Sequence, residues 1–291
     1  MKKETLQKRT NIANDMMYYI YTHIETHIDI QELSDTLGVS KFHMHRIFKE
    51  AFGKNIYESI KSIRLQKAAS MLLTNKYSTI SDVANECGYS SQSSFIKVFK
   101  ERFGMTPKAW RNQGYKDYSD NILHQSKSAL ASRADFSQLT PSIVKMKPIQ
   151  SYYIRNKGYN INVKETWQKM QTWILSNDID NPTQIALLHD NPTITPLADC
   201  QYVACVAEPE AQNIKSERLP KFQIAGGVYA KFNFQGRHGD MLRFIHWVHH
   251  EWMVKSEYET TTKPSYVIYH KNNFLREDLM SAFMFLSPIK M

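Results

Sequence analysis

LSDTLGVSKFHMHRIFKEAFG (residues 33–53) recurs at residues 83–104 as VANECGYSSQSSFIKVFKERFG. Gly38 matches Gly88 and Ser40 matches Ser90. After a one-residue insertion, Phe48, Lys49, Glu50, Phe52 and Gly53 match Phe99, Lys100, Glu101, Phe103 and Gly104. One supersecondary unit is therefore present twice. Each copy reads as two helices around a tight turn. In the first, Ile30, Leu33 and Leu37 make an apolar stripe, Gly38 suits a positive-φ turn, and Ser40 suits a helix cap. Met44, Ile47, Phe48 and Ala51 then follow helical spacing. In the second, Ile80, Val83, Ala84 and Cys87 precede Gly88 and Ser90, and Phe95, Val98, Phe99 and Phe103 form the inward face. The pattern is a helix-turn-helix, twice.

The outward faces carry the chemistry. Phe42, His43, His45, Arg46 and Lys49 face out in the first copy; Ser91, Gln92, Ser93, Ser94, Lys97 and Lys100 do so in the second. No acid interrupts either face before Glu50 and Glu101, near the helix ends. Arg can fork onto guanine, Gln onto adenine, Ser onto either, and Lys or Ser onto phosphate, so both faces suit the major groove of double-stranded DNA. Between the copies, NIYESIKSIRLQKAASMLLTN (55–75) predicts a helix with Ile56, Ile60, Ile63, Ala68, Met71 and Leu72 inward. About 20 helical residues span about 30 Å, close to the roughly 34 Å between successive major-groove segments on one side of B-DNA. One chain could read two segments without dimerising.

Charge is distributed accordingly. The 291 residues carry a net charge of +9, and residues 1–114 hold 17 basic against 11 acidic side chains, while residues 151–291 hold 15 against 14. A basic first domain joined to a nearly neutral one suits a polyanion-binding module coupled to another function. The composition, 42% hydrophobic and 22% charged, is that of a globular protein. No apolar run is long enough to span a membrane, and MKKETLQKRT lacks a secretory core, so the expected location is cytoplasmic with no membrane partner. Cys87, Cys200 and Cys205 show no CxxC spacing and are expected as buried thiols.

Together the initial helix (RTNIANDMMYYIYTHIETHID), the first helix-turn-helix, the long connecting helix and the second unit (ISDVANECGYSSQSSFIKVFKERFGMTPKAWR) resemble the DNA-binding domain of AraC/XylS transcription regulators, over residues 9–112. The resemblance implies that Phe42, His45 and Arg46 meet base edges in one groove segment and Gln92, Ser93 and Lys97 in the next, with Ser91 and Ser94 near the backbone. Phe42 stands where the family often has Trp, His45 where it has Gln, and Lys97 where Arg is common. The implied fold transfers; the operator sequence does not.

Residues 113–139 are polar, with sparse periodicity, and read as a linker holding at most a short helix near Asn121–Leu130. Beyond it, strand patterns cover Ser142–Asn156, Gln184–His189, Gln201–Val206, Phe222–Phe234, Ser265–His270 and Ser281–Pro288. Helical patterns cover Val163–Ser176 and His238–Lys255. The order is strand, helix, strand, strand, repeated. The expected fold is multidomain: an all-α N-terminal domain with two helix-turn-helix units, then an α+β C-terminal domain with duplicated β-α-β-β halves in one curved sheet. The expected boundaries are 1–112, a linker at 113–140, and 141–291.

The stretches SYYIRNKGYN, DNPTITPLADCQYVACVAEP, AGGVYAKFNFQGRHGDM and KPSYVIYHKNNFLREDLMSAFMFLSPI resemble the GyrI-like effector-binding domain. That resemblance implies a cavity for small lipophilic, often cationic, molecules, centred on a buried Glu two residues before a Tyr. Here the strand reads Pro264, Ser265, Tyr266, Val267, Ile268, Tyr269, so Val267 replaces the Glu while Tyr269 keeps its place on the same face. Without the anion, a neutral lipophilic or aromatic effector fits better than a cation. Tyr153, Trp173, Trp247, Val267 and Tyr269 are the candidate ligand-binding residues, with Tyr152, Trp167 and Trp252 in reserve; ordinary core packing explains any one of them equally well.

His246, His249 and His250, with His238 upstream, stand on one helix, but HHEWM lacks the HExxH spacing and no tetrahedral set is complete. They read as a solvated helix face, and no metal or cofactor is expected. No GxSxG, Walker or GxGxxG motif occurs. Some relatives of the second domain are hydrolases in which the Glu takes part; Val267 can serve as neither acid, base nor nucleophile, so no catalytic residue is assigned. The leading reading is a one-component transcription regulator, acting as a monomer or weak dimer. The alternative keeps the DNA-binding role and makes the second domain a protein-interaction module that recruits RNA polymerase.

Overall fold

The structure is a computed structural model that describes residues 3–159, 162–209, 214, 219–276 and 280–291, with the side chains of residues 3–7 and of His238 left aside. Within the quoted GyrI-like stretches, Asn160 and Glu277–Leu279 lie outside the described residues, as does the side chain of His238. The chain forms two compact units: residues 1–68 with 79–106, and residues 69–78 with 107–291.

In the first unit, α1 (Lys3–Thr22) packs on α3 (Lys41–Phe52), with α2 (Ile30–Thr36) preceding the turn. Met16, Ile20 and Ile24 are buried with Leu33, Met44, Ile47, Phe48, Ile56, Ile60 and Ile63, as their helical spacing predicts. Burying each such side chain contributes about 1.5–3 kcal/mol. Ala51, expected inward, is exposed. The long helix α4 (Ile56–Thr74) begins with a reciprocal cap: the Glu58 amide donates to Asn55 Oδ1 at 2.8 Å and the Asn55 amide to Glu58 Oε2 at 3.3 Å. The second helix-turn-helix consists of α5 (Ile80–Glu86), opened by a Thr79–Asp82 capping box, and α6 (Gln92–Phe103). Val83, Ala84, Cys87, Phe95, Phe99 and Phe103 are its buried face.

Arg64, midway along α4, joins these parts. Its Nε donates to the Ile24 carbonyl at 3.1 Å and its Nη2 to the Thr26 carbonyl at 2.6 Å. The same guanidinium lies against Gly88, whose φ is +75°; a Cβ there would fall 2.6 Å from Arg64 Cζ and 2.7 Å from the Ile24 carbonyl oxygen. Only glycine satisfies both the turn and this close approach.

In the second unit the expected pattern is realised with corrections. The two long strands are each broken: β1 (Ser142–Met146) and β2 (Ile149–Lys157) flank Lys147 and Pro148, and β5 (Lys221–Ile224) and β6 (Gly227–Arg237) flank Ala225 and Gly226. Pro148 has no amide to continue a ladder. The pairing register nevertheless carries through, from Ser142 opposite Lys231 to Tyr152 opposite Lys221. With β3 (Gln184–Leu188), β4 (Gln201–Ala207), β7 (Glu259–Thr260), β8 (Ser265–Lys271) and β9 (Met280–Lys290), the sheet runs β1-β6-β9-β8-β3-β4-β2-β5, with β7 on β9 and every pair antiparallel. Since β1 leads directly into β2 yet lies at the other end of the order, the sheet curls back on itself.

The residues expected as a linker, 113–140, are largely helical. A short α7 (Pro107–Ala109) runs into a π-turn at Trp110–Gly114, then α8 (Tyr115–His124) and α9 (Lys127–Ala131). Tyr115, Ile122 and Ala129 are buried, and those few apolar positions suffice because each has a packing partner. Helix α10 (Asn162–Ser176) follows β2; α11 (His238–Trp247) follows β6 and continues through a π-turn at Val248–Trp252 into α12 (Met253–Lys255). Trp167, Met170, Phe244 and Val248 share one core with Tyr152, Ala204, Phe232, Val267 and Phe285, so both helices cover the same face of the sheet.

This unit also holds the end of α4 and the loop after it. Trp110 Nε1 donates to the Ala69 carbonyl at 3.0 Å, Asn75 exchanges hydrogen bonds with the Thr260 backbone at 2.8 and 3.0 Å, and the buried Glu259 carboxylate accepts the amides of Tyr77 and Ser78 at 2.8 and 2.9 Å.

Gly88→Ala should lower the stability of the full-length protein by about 2 kcal/mol, since strain at positive φ adds to a backbone collision. A denaturant titration showing an unchanged midpoint would contradict the close approach.

Candidate nucleic-acid interface and effector cavity

Helices α3 and α6 have the same length of 12 residues, and their N-caps are Ser40 and Ser91, accepting from the amides of His43 at 3.3 Å and Ser94 at 3.4 Å. The one-residue insertion therefore sits in the second turn. It puts Arg46 and Lys97 at the same helical position, with Phe42 equivalent to Ser93 and His45 to Ile96. Arg46, Lys49, Ser91, Gln92, Ser93, Ser94 and Lys97 are exposed, Phe42 is 79% exposed, and His43 and His45 are half-buried. Arg46 Nη2 lies 3.0 Å from His43 Nδ1 on the turn below. The acids that end the two faces are paired within the unit, Glu50 with Arg9 and Glu101 with Lys61. Neither helix thus offers an uncompensated carboxylate beside its basic face.

Tyr57 extends the first face. It is 62% exposed on the first turn of α4, and its ring lies 5.8 Å from that of His45. Helical periodicity could have flagged it as an outward aromatic beside a reading head, but its position in a different helix from the motif hid the connection.

The second unit contains a cavity of about 230 Å³ on the helix-covered face. Leu188 and Tyr202 form its sheet side, Val163 of α10 and Met241, Leu242 and Ile245 of α11 its flanks, and Gln125, Ser126 and Ser128 its connector side. Tyr202 is fixed by Trp167 Nε1, which donates to its hydroxyl at 2.8 Å, and by the Tyr269 hydroxyl at 3.2 Å. Burial raises the pKa of both phenols, so they remain neutral. Among the described residues, no acidic or basic side chain lines the cavity.

None of the five ligand-binding candidates lines this cavity. Val267 lies in the sheet interior between Ala186 and Phe285, Tyr269 packs edge-on against Trp167, and Trp173 packs at a tilt on Tyr152. Trp247 packs on Phe136, Phe232 and Phe244. Tyr153 points to the other face of the sheet, against Phe222. Of the reserve set, Tyr152 and Trp167 are core and Trp252 packs on Phe232. The placement of Val267 and Tyr269 on a common face is correct. Trp167 packs edge-on against Tyr269, Phe283 is its cross-strand neighbour on β9, and the opening lies nearer Tyr202. Tyr202, Ala204 and Val206 alternate toward that face, a signal present in the sequence but eclipsed by the neighbouring tryptophans.

The histidine cluster is not a solvated face. His249 is buried, His250 lies edge-on to Tyr115, and its Nε2 is 3.1 Å from Ser119 Oγ and 3.2 Å from Thr193 Oγ1. The His246 and His250 rings stack at 4.0 Å, and His246 Nε2 is 3.8 Å from Asp120. Helix α8 supplies the cover that the sequence reading left as linker. Among the described residues no group of three or more His, Cys, Asp or Glu could hold a metal ion, and no helix is long and apolar enough to cross a membrane. Cys87, Cys200 and Cys205 are all buried, and burial pushes the Cys87 thiol up to about 12.

Burial, followed by the charges of His246, His249 and Lys116, pushes the pKa of His250 down to about 2, and burial lowers that of His246. The unfolded chain takes up protons on these rings near pH 6.5 and the folded chain does not. Their contribution to stability is therefore complete above about pH 6.5 and is lost progressively below it. Thermal melts should show a falling midpoint between pH 6.5 and 5, and His250→Gln should flatten that slope.

Comparison with known proteins agrees with both halves. A helix-turn-helix domain family matches residues 33–113, and the GyrI-like small molecule binding domain matches residues 139–278. The chain is 35% identical over 106 residues to a probable transcription factor, PqrA, of Proteus vulgaris, covering 36% of this chain and 86% of that protein. It is 34% identical over 96 residues to the xylose operon regulatory protein of Escherichia coli, covering 33% of this chain and 24% of that protein. The C-terminal domain of AraT, a response regulator from Geobacillus stearothermophilus, aligns at 27% identity and a TM-score of 0.33, over 35% of this chain and 84% of that one. The chain is a DNA-binding transcription regulator with a GyrI-like domain behind its helix-turn-helix region. It belongs to the AraC/XylS family.

Proposed function

We propose that residues 1–112 read two successive major-groove segments and that a small molecule bound within residues 141–291 modulates this activity, with residues 113–140 connecting the two. The observation that supports the DNA reading best is the equivalence of Arg46 and Lys97, each exposed at the sixth position of a capped 12-residue helix. Arg46 forks onto guanine, Phe42 and Ile96 suit thymine methyl groups, and Gln92 and Ser93 supply neutral hydrogen-bonding readout in the second segment. His45 and Lys97 complete the base-edge sets of the two helices, and His43, Lys49, Ser91 and Ser94 position them on phosphate and sugar.

The uncharged lining that the described residues give the cavity supports a neutral lipophilic or aromatic effector. A buried cation would find no carboxylate among them, and leaving it unpaired in an apolar site is costly. The alternative, a second domain that acts only by protein contact with RNA polymerase, accounts for no part of this cavity.

Arg46→Ala should weaken specific binding by about 1–3 kcal/mol and relax discrimination at one base pair, whereas Lys49→Ala should weaken binding across sequences and reduce the salt dependence. Selecting bound DNA from a random pool with each variant checks both. Unchanged base preference in the Arg46 variant would remove that residue from the reading set.

A further inference from the structure

We propose that the connector segment Gln125–Ser132 is a movable wall of the cavity, displaced from α11 when a neutral lipophilic effector binds. This rests on the effector reading above and adds how the site is regulated.

The cavity holds about 230 Å³, whereas sites for drug-sized molecules measure about 300–1,000 Å³. One wall has to yield, and the walls are unequal. The sheet side and the flanks on α10 and α11 belong to elements rooted in the main core, and of the loop residues that complete the lining Tyr159 and Phe274 pack against that core and Pro192 is buried. The connector side is the five-residue α9 and the turn before it, too short to be stable as a helix alone. Of α9 only Ala129 is buried, and Leu130 is 47% exposed.

What holds α9 in place is local and polar. Ser132 Oγ donates to Asp240 Oδ1 at 2.5 Å, and Arg243 Nη1 donates to the Ser132 carbonyl at 2.9 Å. Gly239, in the first turn of α11, lets the Ser128 backbone approach so closely that a Cβ would collide with its carbonyl. Such a contact is either seated or released, with little between. Ligand in the cavity and α9 on α11 therefore compete for one space, and loosening the second strengthens the first. Because this segment is the chain that leads from the helix-turn-helix region to the sheet, its displacement is the step by which occupancy alters that chain.

The test uses the intact protein and the neutral tricyclic dye 1-aminoanthracene, followed by fluorescence, with trypsin as a probe of the exposed Lys127 and Arg133 that flank α9. Wild type should bind the dye and Leu242→Trp, which fills the cavity, should not. Gly239→Ala and Arg243→Ala should bind it about three- to tenfold more tightly, and saturating dye should speed cleavage of wild type at Lys127 and Arg133. If the dye binds and Leu242→Trp abolishes it, but neither loosening variant changes affinity and cleavage does not quicken, the movable wall is wrong and the effector reading stands. Dye binding that survives Leu242→Trp, or no binding in any variant, overturns both.

Discussion

The Arg64 guanidinium is the constraint on which the reading apparatus depends. It sits half-buried at the middle of α4, donates to two carbonyls just beyond α1, and presses on a glycine in the second turn. A buried guanidinium without acceptors would be expensive, and the carbonyls after a helix end need donors; each removes the other's penalty. The chain that leads from α1 into the first helix-turn-helix and the turn of the second are thereby referred to a single side chain.

The helical half of the fold was legible because its signals are local. Capping serines, turn glycines and a 3.6-residue period fall within windows of about ten residues, and they recur, so each copy checks the other. The alternation of the second domain was legible for the same reason. What escaped was long-range. Residues 142–156 read as one strand; Pro148 marks the break locally, but nothing nearby says that the two halves go to opposite ends of a curled sheet. Residues 113–139 looked like a linker because Tyr115, Ile122 and Ala129 are too few to define a face until α11 and the histidines are there to meet them. Tyr57 lies beside the exposed face of α3 but comes from another helix, so the motif alone does not point to it.

The candidate cavity lies apart from the aromatic residues that the sequence singles out. Aromatic composition pointed to an aromatic-lined site, but large rings close space as readily as they line it, and Trp167, Phe283 and Phe285 close the space around Val267. Where the resemblance implies a central carboxylate, this chain has a strand residue with no exposure and neighbours that match its volume. Among the described lining residues, polar character comes from the hydroxyls of Tyr159 and Tyr202 and from the amide and hydroxyls of the connector.

The clasp formed by Asn75, Glu259 and Thr260 bears on the modularity of such regulators. Residues 69–78 are part of the second unit, and their buried donors and acceptors are satisfied by a two-residue strand pinned to β9. A recombination event that exchanged the second domain at residue 112 would strand these groups inside a foreign protein. Heredity can therefore shuffle such domains only where the incoming sensor brings its own counterpart of Glu259, so the history of a chimera should be written at a site far from its seam.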